Sequence, residues 1–350
     1  MKLRLNISLL YLLVVGLGLL AVSCDFDPVR LAEPNEKIRP MAAYLKNNYE
    51  FSLFSAALEY TGLEDELNQG GPYTIFVPTN RAFNELGINR PEDFQTNNRD
   101  SLRTAIRYHI LKRRLNVDND IALGSTDNLF ETIDGPPLYI SRDETPASYN
   151  RTFVNGIQIQ RKNLETSNGV LHSIDAVFKY HNGTIQSYLE SQEKFSCLRA
   201  GLKKFGLWDR LKDEKPQTIV APNNNAFKKN GISLEDINKM STDKYGQRLF
   251  AAYLFPLSFF MRDFNLYPSV GIGYYAGAPL RYPIPGDERY TYGIAADHNN
   301  IFIMQSKYND YPIIRDLPIN QKSKRDHLMT NGVLHEIEEL LILPSESLKP

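Results

Sequence analysis

The chain has 350 residues, with 40 lysines and arginines against 41 aspartates and glutamates and a formal net charge of −1. That length holds about two domains of ordinary size, and the balanced charge excludes the broad basic field of a nucleic-acid binder. Two cysteines exclude a disulfide framework.

Residues 1–23 have the pattern of a targeting segment. Lys2 and Arg4 precede an apolar run from Leu9 to Val22, which is too short to span a bilayer as a helix. The run ends in Leu20-Ala21-Val22-Ser23-Cys24. Small residues before a cysteine resemble a bacterial lipoprotein cleavage box, which implies a signal peptide over residues 1–23 and lipidation (palmitate among the acyl chains) at Cys24. Several acyl chains on one residue supply the multiple anchors that stable attachment needs. Residues 24–37, with Pro28 and Pro34, are expected to be a tether. The expected location is the outer membrane, facing the exterior.

From Phe51 to Leu67 the apolar residues keep a helical phase, and Gly62 is placed to close that helix. Thr74–Val77 is a compact strand ended by Pro78, and Thr79 or Asn80 can cap the helix that follows. Ser101–Leu111 puts Leu102, Ala105, Ile106 and His109 on one helical face, with Tyr108 on the flank. Asn168-Gly169 is a type I′ hairpin signal. In the strand that returns from it, His172 lies among apolar neighbours, where it needs a hydrogen-bond partner.

The same grammar then recurs. Thr74–Phe83 (T-I-F-V-P-T-N-R-A-F) returns as Thr218–Phe227 (T-I-V-A-P-N-N-N-A-F), 144 residues on. Asn168–Asp175 (N-G-V-L-H-S-I-D) returns as Asn331–Glu338 (N-G-V-L-H-E-I-E), 163 residues on, so 19 residues are inserted in the second copy between Met304 and Thr330. Such a repeat means two copies of one domain. Each is long enough to bury its own core. Asn224 repeats Asn80 and His335 repeats His172; this recurrence favours a structural role for all four. Cys197, opposite Leu53, is expected to be a small buried hydrophobe.

These two motifs, with Tyr108-His109 between them, resemble the signatures of the fasciclin domain family. The second copy reads A-A-Y-L-F there, and matching tyrosine to tyrosine puts Leu254 opposite His109. The resemblance covers residues 38–179 and 180–344. It implies an α+β fold: two tandem fasciclin-like domains, each a wedge-shaped antiparallel β sandwich with packed helices. It also implies adhesion, and it links the Tyr108-His109 region to partner contact in the first domain.

No nucleophile elbow, phosphate loop, zinc motif or dinucleotide fingerprint is found. The expectation is a non-enzymatic protein without cofactor or metal, binding extracellular protein or polysaccharide. The alternative is a glycan-capture accessory of an outer-membrane uptake system. Individual function is expected in the insertion (residues 304–330), where Tyr308, Tyr311 and Arg315 are candidate partner contacts.

Overall fold

The computed structural model describes residues 38–126, 128–142, 151–212, 217–256, 258–260, 281–284, 287–296, 301–307, 313–317 and 325–349; within 281–317 it describes strand pairing only. The targeting segment, Cys24, the tether, Tyr308 and Tyr311 lie outside the described residues. Residues 39–350 make one compact unit.

In the first half a seven-stranded sheet runs in the order β2-β1-β7-β6-β5-β4-β3. Its strands are β1 (Tyr73–Pro78), β2 (Ile110–Leu111), β3 (Asn128–Phe130), β4 (Leu138–Arg142), β5 (Thr152–Val154), β6 (Ile157–Thr166) and β7 (Gly169–Ile174). All neighbours are antiparallel except β1 and β7, which run parallel. Helices Met41–Lys46, Ser52–Thr61 and Arg99–Arg107 cover one face, burying Phe51, Phe54, Leu58, Ile75 and Leu171. Gly62 ends the second of these helices in the left-handed conformation, as its sequence predicts.

The second half has β8 (Gln217–Pro222), β9 (Leu254–Phe255), β10 (Arg281–Ile284), β11 (Asp287–Ala296), β12 (Ile301–Lys307), β13 (Ile313–Leu317), β14 (His327–Met329) and β15 (Gly332–Ile337). Strands β14-β15-β8-β9 repeat the register of β6-β7-β1-β2, again with one parallel pair. The insertion falls inside the counterpart of β6. In the first half β6 is a single strand with two register shifts, at Ile159/Arg161 and Arg161/Leu164. In the second half its two ends have become β12 and β14. The insertion is therefore more than a loop: β13 pairs antiparallel with β12, and β10-β11-β12-β13 form a separate four-stranded sheet.

The hairpin expectation changes. Val154 pairs with Ile157 across Asn155-Gly156, which have φ of 47° and 72°; the type I′ turn sits there. At Asn168-Gly169 the turn residues are Ser167 and Asn168, since Thr166 pairs with Gly169. Gly169 is required by a neighbour instead of by its own dihedrals. A Cβ there would stand 2.1 Å from the Tyr73 carbonyl oxygen, and one at Gly332 2.0 Å from that of Gln217. In both halves the parallel strand passes too close for a side chain.

The halves do not bury wholly separate cores. Phe260, Leu328 and Val333 pack with Phe76, Tyr139, Val154 and Phe178 of the first half. By the repeat offsets, Phe260 stands where the first half has Asn116, and Leu328 where it has Glu165. The second copy has thus exchanged two polar positions for apolar ones at the seam. Phe260 is 1% exposed and its ring centroid lies 5.6 Å from that of Tyr139. Phe260→Asn, which restores the first half's residue, is expected to cost roughly 2–4 kcal/mol through lost burial and packing. Calorimetry should then resolve two transitions where the parent shows one; an unchanged single transition would show that the seam does not couple the halves.

Candidate functional site

The sequence-predicted residues fall into two groups, buried ties and surface groups. Asn80 and Asn224 are ties. Neither caps the helix it begins. Asn80 Oδ1 instead accepts from Leu53 N at 3.0 Å, capping Ser52–Thr61, while its Nδ2 donates to the Tyr49 carbonyl and to Ser52 Oγ. Asn224 repeats each bond with Cys197 N, the Glu193 carbonyl and Ser196 Oγ. The helix Asn224–Lys229 is capped by Asn223, whose Oδ1 accepts from Asn225 N and Ala226 N. Asn168 and Asn331 are a second such pair, tying Met41 N to the Leu67 carbonyl and Ile185 N to the Leu211 carbonyl.

His172 and His335 are wholly buried. Asn163 N donates to His172 Nδ1 at 3.2 Å, so the proton lies on Nε2, which donates to the Leu115 carbonyl at 3.1 Å. Asp326 N and the Phe259 carbonyl play the same parts for His335, at 3.2 and 3.0 Å. Asn163 and Asp326 both have positive φ, 54° and 57°. The backbone N–H of Leu115 donates to Thr74 Oγ1, and that of Phe259 to Thr218 Oγ1. Each imidazole therefore joins β6 at Asn163, or its counterpart Asp326 before β14, to the segment after β2 or β9. Desolvation lowers both imidazoles to a pKa of about 4, so both are neutral at pH 7. Asp326 Oδ1 lies 3.8 Å from His335 Nδ1 and Asp118 adds a weaker field at His172; burial dominates both.

Tyr108 and His109 are not on the surface. They are 1% and 0% exposed, so a partner of the folded domain has no access to either ring. Asn155 Nδ2 donates to the Tyr108 hydroxyl at 2.9 Å, and burial pushes that hydroxyl's pKa up. His109 stacks on Phe178 at 4.5 Å, its Nδ1 donates to the Ala105 carbonyl, and its Nε2 accepts from Phe178 N at 2.9 Å. Burial lowers its pKa to about 4.

The counterpart of His109 is Tyr253, not Leu254. Strand pairing sets the match: Phe76 N donates to the His109 carbonyl and Val220 N to that of Tyr253. Ile75 pairs with Ile110, and Ile219 with Leu254. The Tyr253 hydroxyl then accepts from Leu341 N at 3.0 Å, and Leu341 is the repeat counterpart of Phe178. The two halves give the same backbone donor different acceptors. Tyr253→Phe removes the hydroxyl and with it the acceptor for Leu341 N, and is expected to cost about 1–3 kcal/mol. Urea unfolding measures it; no change in midpoint would show that the hydroxyl is not a tie.

Arg315 lies on β13, paired with Ile303. Among the described residues no group of three or more His, Cys, Asp or Glu could hold a metal ion, and no helix is long and apolar enough to cross a membrane. Cys197 is buried, with its thiol pKa raised by desolvation.

Among the described residues a cleft of about 640 Å³ opens along the seam of the halves. Arg81, Gln158, Gln160, Lys179, His181 and His327 are among its lining. The chain crosses the seam at its rim: His181 N donates to the Leu328 carbonyl at 2.8 Å and Thr330 N to that of Gly183 at 3.0 Å. The rings of His181, Tyr188 and His327 cluster there, with centroid distances of 4.6, 5.9 and 6.4 Å. The sequence did not reveal this site because its residues come from five separate stretches, and the two repeated motifs contribute only their ends, at Arg81 and Asp175.

Residues 49–180 match the family model of the fasciclin domain. The chain is 27% identical over 321 residues to the transforming growth factor-beta-induced protein ig-h3 of Sus scrofa, covering 88% of this chain and 41% of that protein. It is 23% identical over 281 residues to human periostin, covering 80% of this chain and 29% of that protein. The chain thus spans well under half the length of these relatives. A solved FAS1 domain pair from the insect cell adhesion molecule fasciclin I aligns at a TM-score of 0.38 and 19% identity, over 86% of this chain and 99% of that one.

Proposed function

Because residues 49–180 match the fasciclin domain, we propose that this chain is a non-enzymatic recognition and adhesion module of the cell envelope. The observation that supports this reading best is the contrast between buried and exposed chemistry. The three buried histidines each have both ring nitrogens engaged by the fold. Gln158, Gln160, Lys179 and His181, by contrast, line a solvent-open cleft at the seam. A concave site lined by polar side chains is suited to holding a ligand.

On this reading the lipobox-like Leu20–Cys24 supplies an acyl anchor at Cys24, and the two domains display the cleft and the insertion outward from the membrane. The ligand is an extracellular protein or polysaccharide. The test is retention. Cells displaying the chain are expected to be held on surfaces coated with extracellular matrix protein or with cell-wall polysaccharide, and a chain lacking residues 308–324 to be held less. Loss of retention on neither surface after that deletion would remove the insertion from the account, and retention on neither surface by the intact chain would end the reading.

A further inference from the structure

We propose that the seam cleft binds an oligosaccharide, with one sugar ring lying against the His181, Tyr188 and His327 rings and its hydroxyls bonded to Gln158, Gln160 and Lys179. The inference rests on the recognition reading above and gives it a ligand class and a place.

Three features point to a sugar. The first is free hydrogen-bonding capacity. The side chains of Gln158, Gln160 and Lys179 and the ring nitrogens of His181 have no partner among the described residues, although all four line one cleft. An amide both donates and accepts, as vicinal hydroxyls do, and an ammonium group donates to either hydroxyl or carboxylate oxygens. The second is the ring cluster at the rim. His181 is exposed, and Tyr188 and His327 are half-buried. Planar faces accept the C–H side of a pyranose while polar edges meet its hydroxyls. The contrast with His109, His172 and His335 is informative, since those rings are wholly buried and doubly bonded. The third is size and charge. The cleft's volume of about 640 Å³ falls within the roughly 300–1,000 Å³ of small-ligand sites. Its charged groups largely offset one another: Arg81 lies 3.8 Å from Glu85, Arg325 lies 3.7 Å from Asp326, and Asp175 accepts from Thr79 Oγ1. A peptide would need an apolar groove or a free strand edge; of the large apolar residues here, Phe178, Phe260 and Leu328 are buried as core, and Leu86 is the one that is exposed.

The experiment is titration of the full chain with a panel of hexasaccharides built from glucose, xylose, mannose or glucuronate. Binding of at least one is expected. The double variant His181→Ala with Gln160→Ala, both at exposed positions, is expected to weaken it at least tenfold with an unchanged melting temperature. Lys239→Ala, on an exposed helical ion pair with Glu235, should bind as the parent does. Equal affinity in the double variant would overturn the site. Absence of any sugar binding, with retention on protein-coated surfaces preserved, would overturn the ligand class and leave the recognition reading standing. Absence of both would end the recognition reading as well.

Discussion

His172→Ala is expected to lower the stability of the chain by roughly 3–5 kcal/mol while leaving ligand binding by the folded protein unchanged. The estimate has three parts. Asn163 N loses its acceptor, and an unpaired buried donor costs about 1–3 kcal/mol. The Leu115 carbonyl loses its donor, with a smaller cost because a carbonyl is more tolerant of a missing partner. The ring also stacks on Phe76 at 5.2 Å, so its removal leaves a cavity in the core. Denaturant unfolding measures the first effect, and titration of the cleft at a temperature where the variant stays folded measures the second. A variant with the parent's stability that no longer binds would reverse the assignment and make His172 a site residue.

Acidification is the second large effect. His109, His172 and His335 have pKa values of about 4 in the folded chain, depressed first by burial from an ordinary value of 6.5. An unfolded imidazole takes up its proton near 6.5, so between pH 6.5 and about 4 the unfolded chain binds more protons than the folded one. Stability contributed by the neutral rings is therefore full above pH 6.5 and is lost as pH falls toward 4. Each depression corresponds to on the order of 3 kcal/mol, so three rings together rival the whole stability of an ordinary domain. Titration of the imidazole resonances by NMR checks this directly. The three buried rings should stay neutral down to the onset of unfolding. One of them titrating near 6.5 in the folded chain would refute its placement.

The duplication and the strand-to-helix corner were legible in the sequence, because each is carried by short motifs of adjacent residues. Asn80 and Asn224 were visible as a repeated pair, but their role was not. The N–H groups they satisfy belong to helices that begin nearly thirty residues earlier, at Leu53 and Cys197. The same applies to Gly169, whose need for a bare Cα comes from the Tyr73 carbonyl of a parallel strand. The match of His109 with Leu254 failed by one residue. Sequence similarity paired tyrosine with tyrosine, whereas ladder hydrogen bonds decide register, and they place Tyr253 at the position of His109. Tyr108 was assigned to the helix flank for a related reason: helical periodicity describes one element, and Tyr108 is covered by others, among them Phe178 and Tyr180.

By itself the sequence determined that one motif-bearing unit occurs twice, that histidine and asparagine recur at matching points, and where the second copy is longer. Only the tertiary structure decided that the copies share a core. Whether Phe260 and Leu328 are surface or seam depends on what packs against them, and burial is a property of neighbours brought together from far along the chain. The cleft has the same origin. Arg81, Gln160, His181 and His327 become one site only when the halves close on each other.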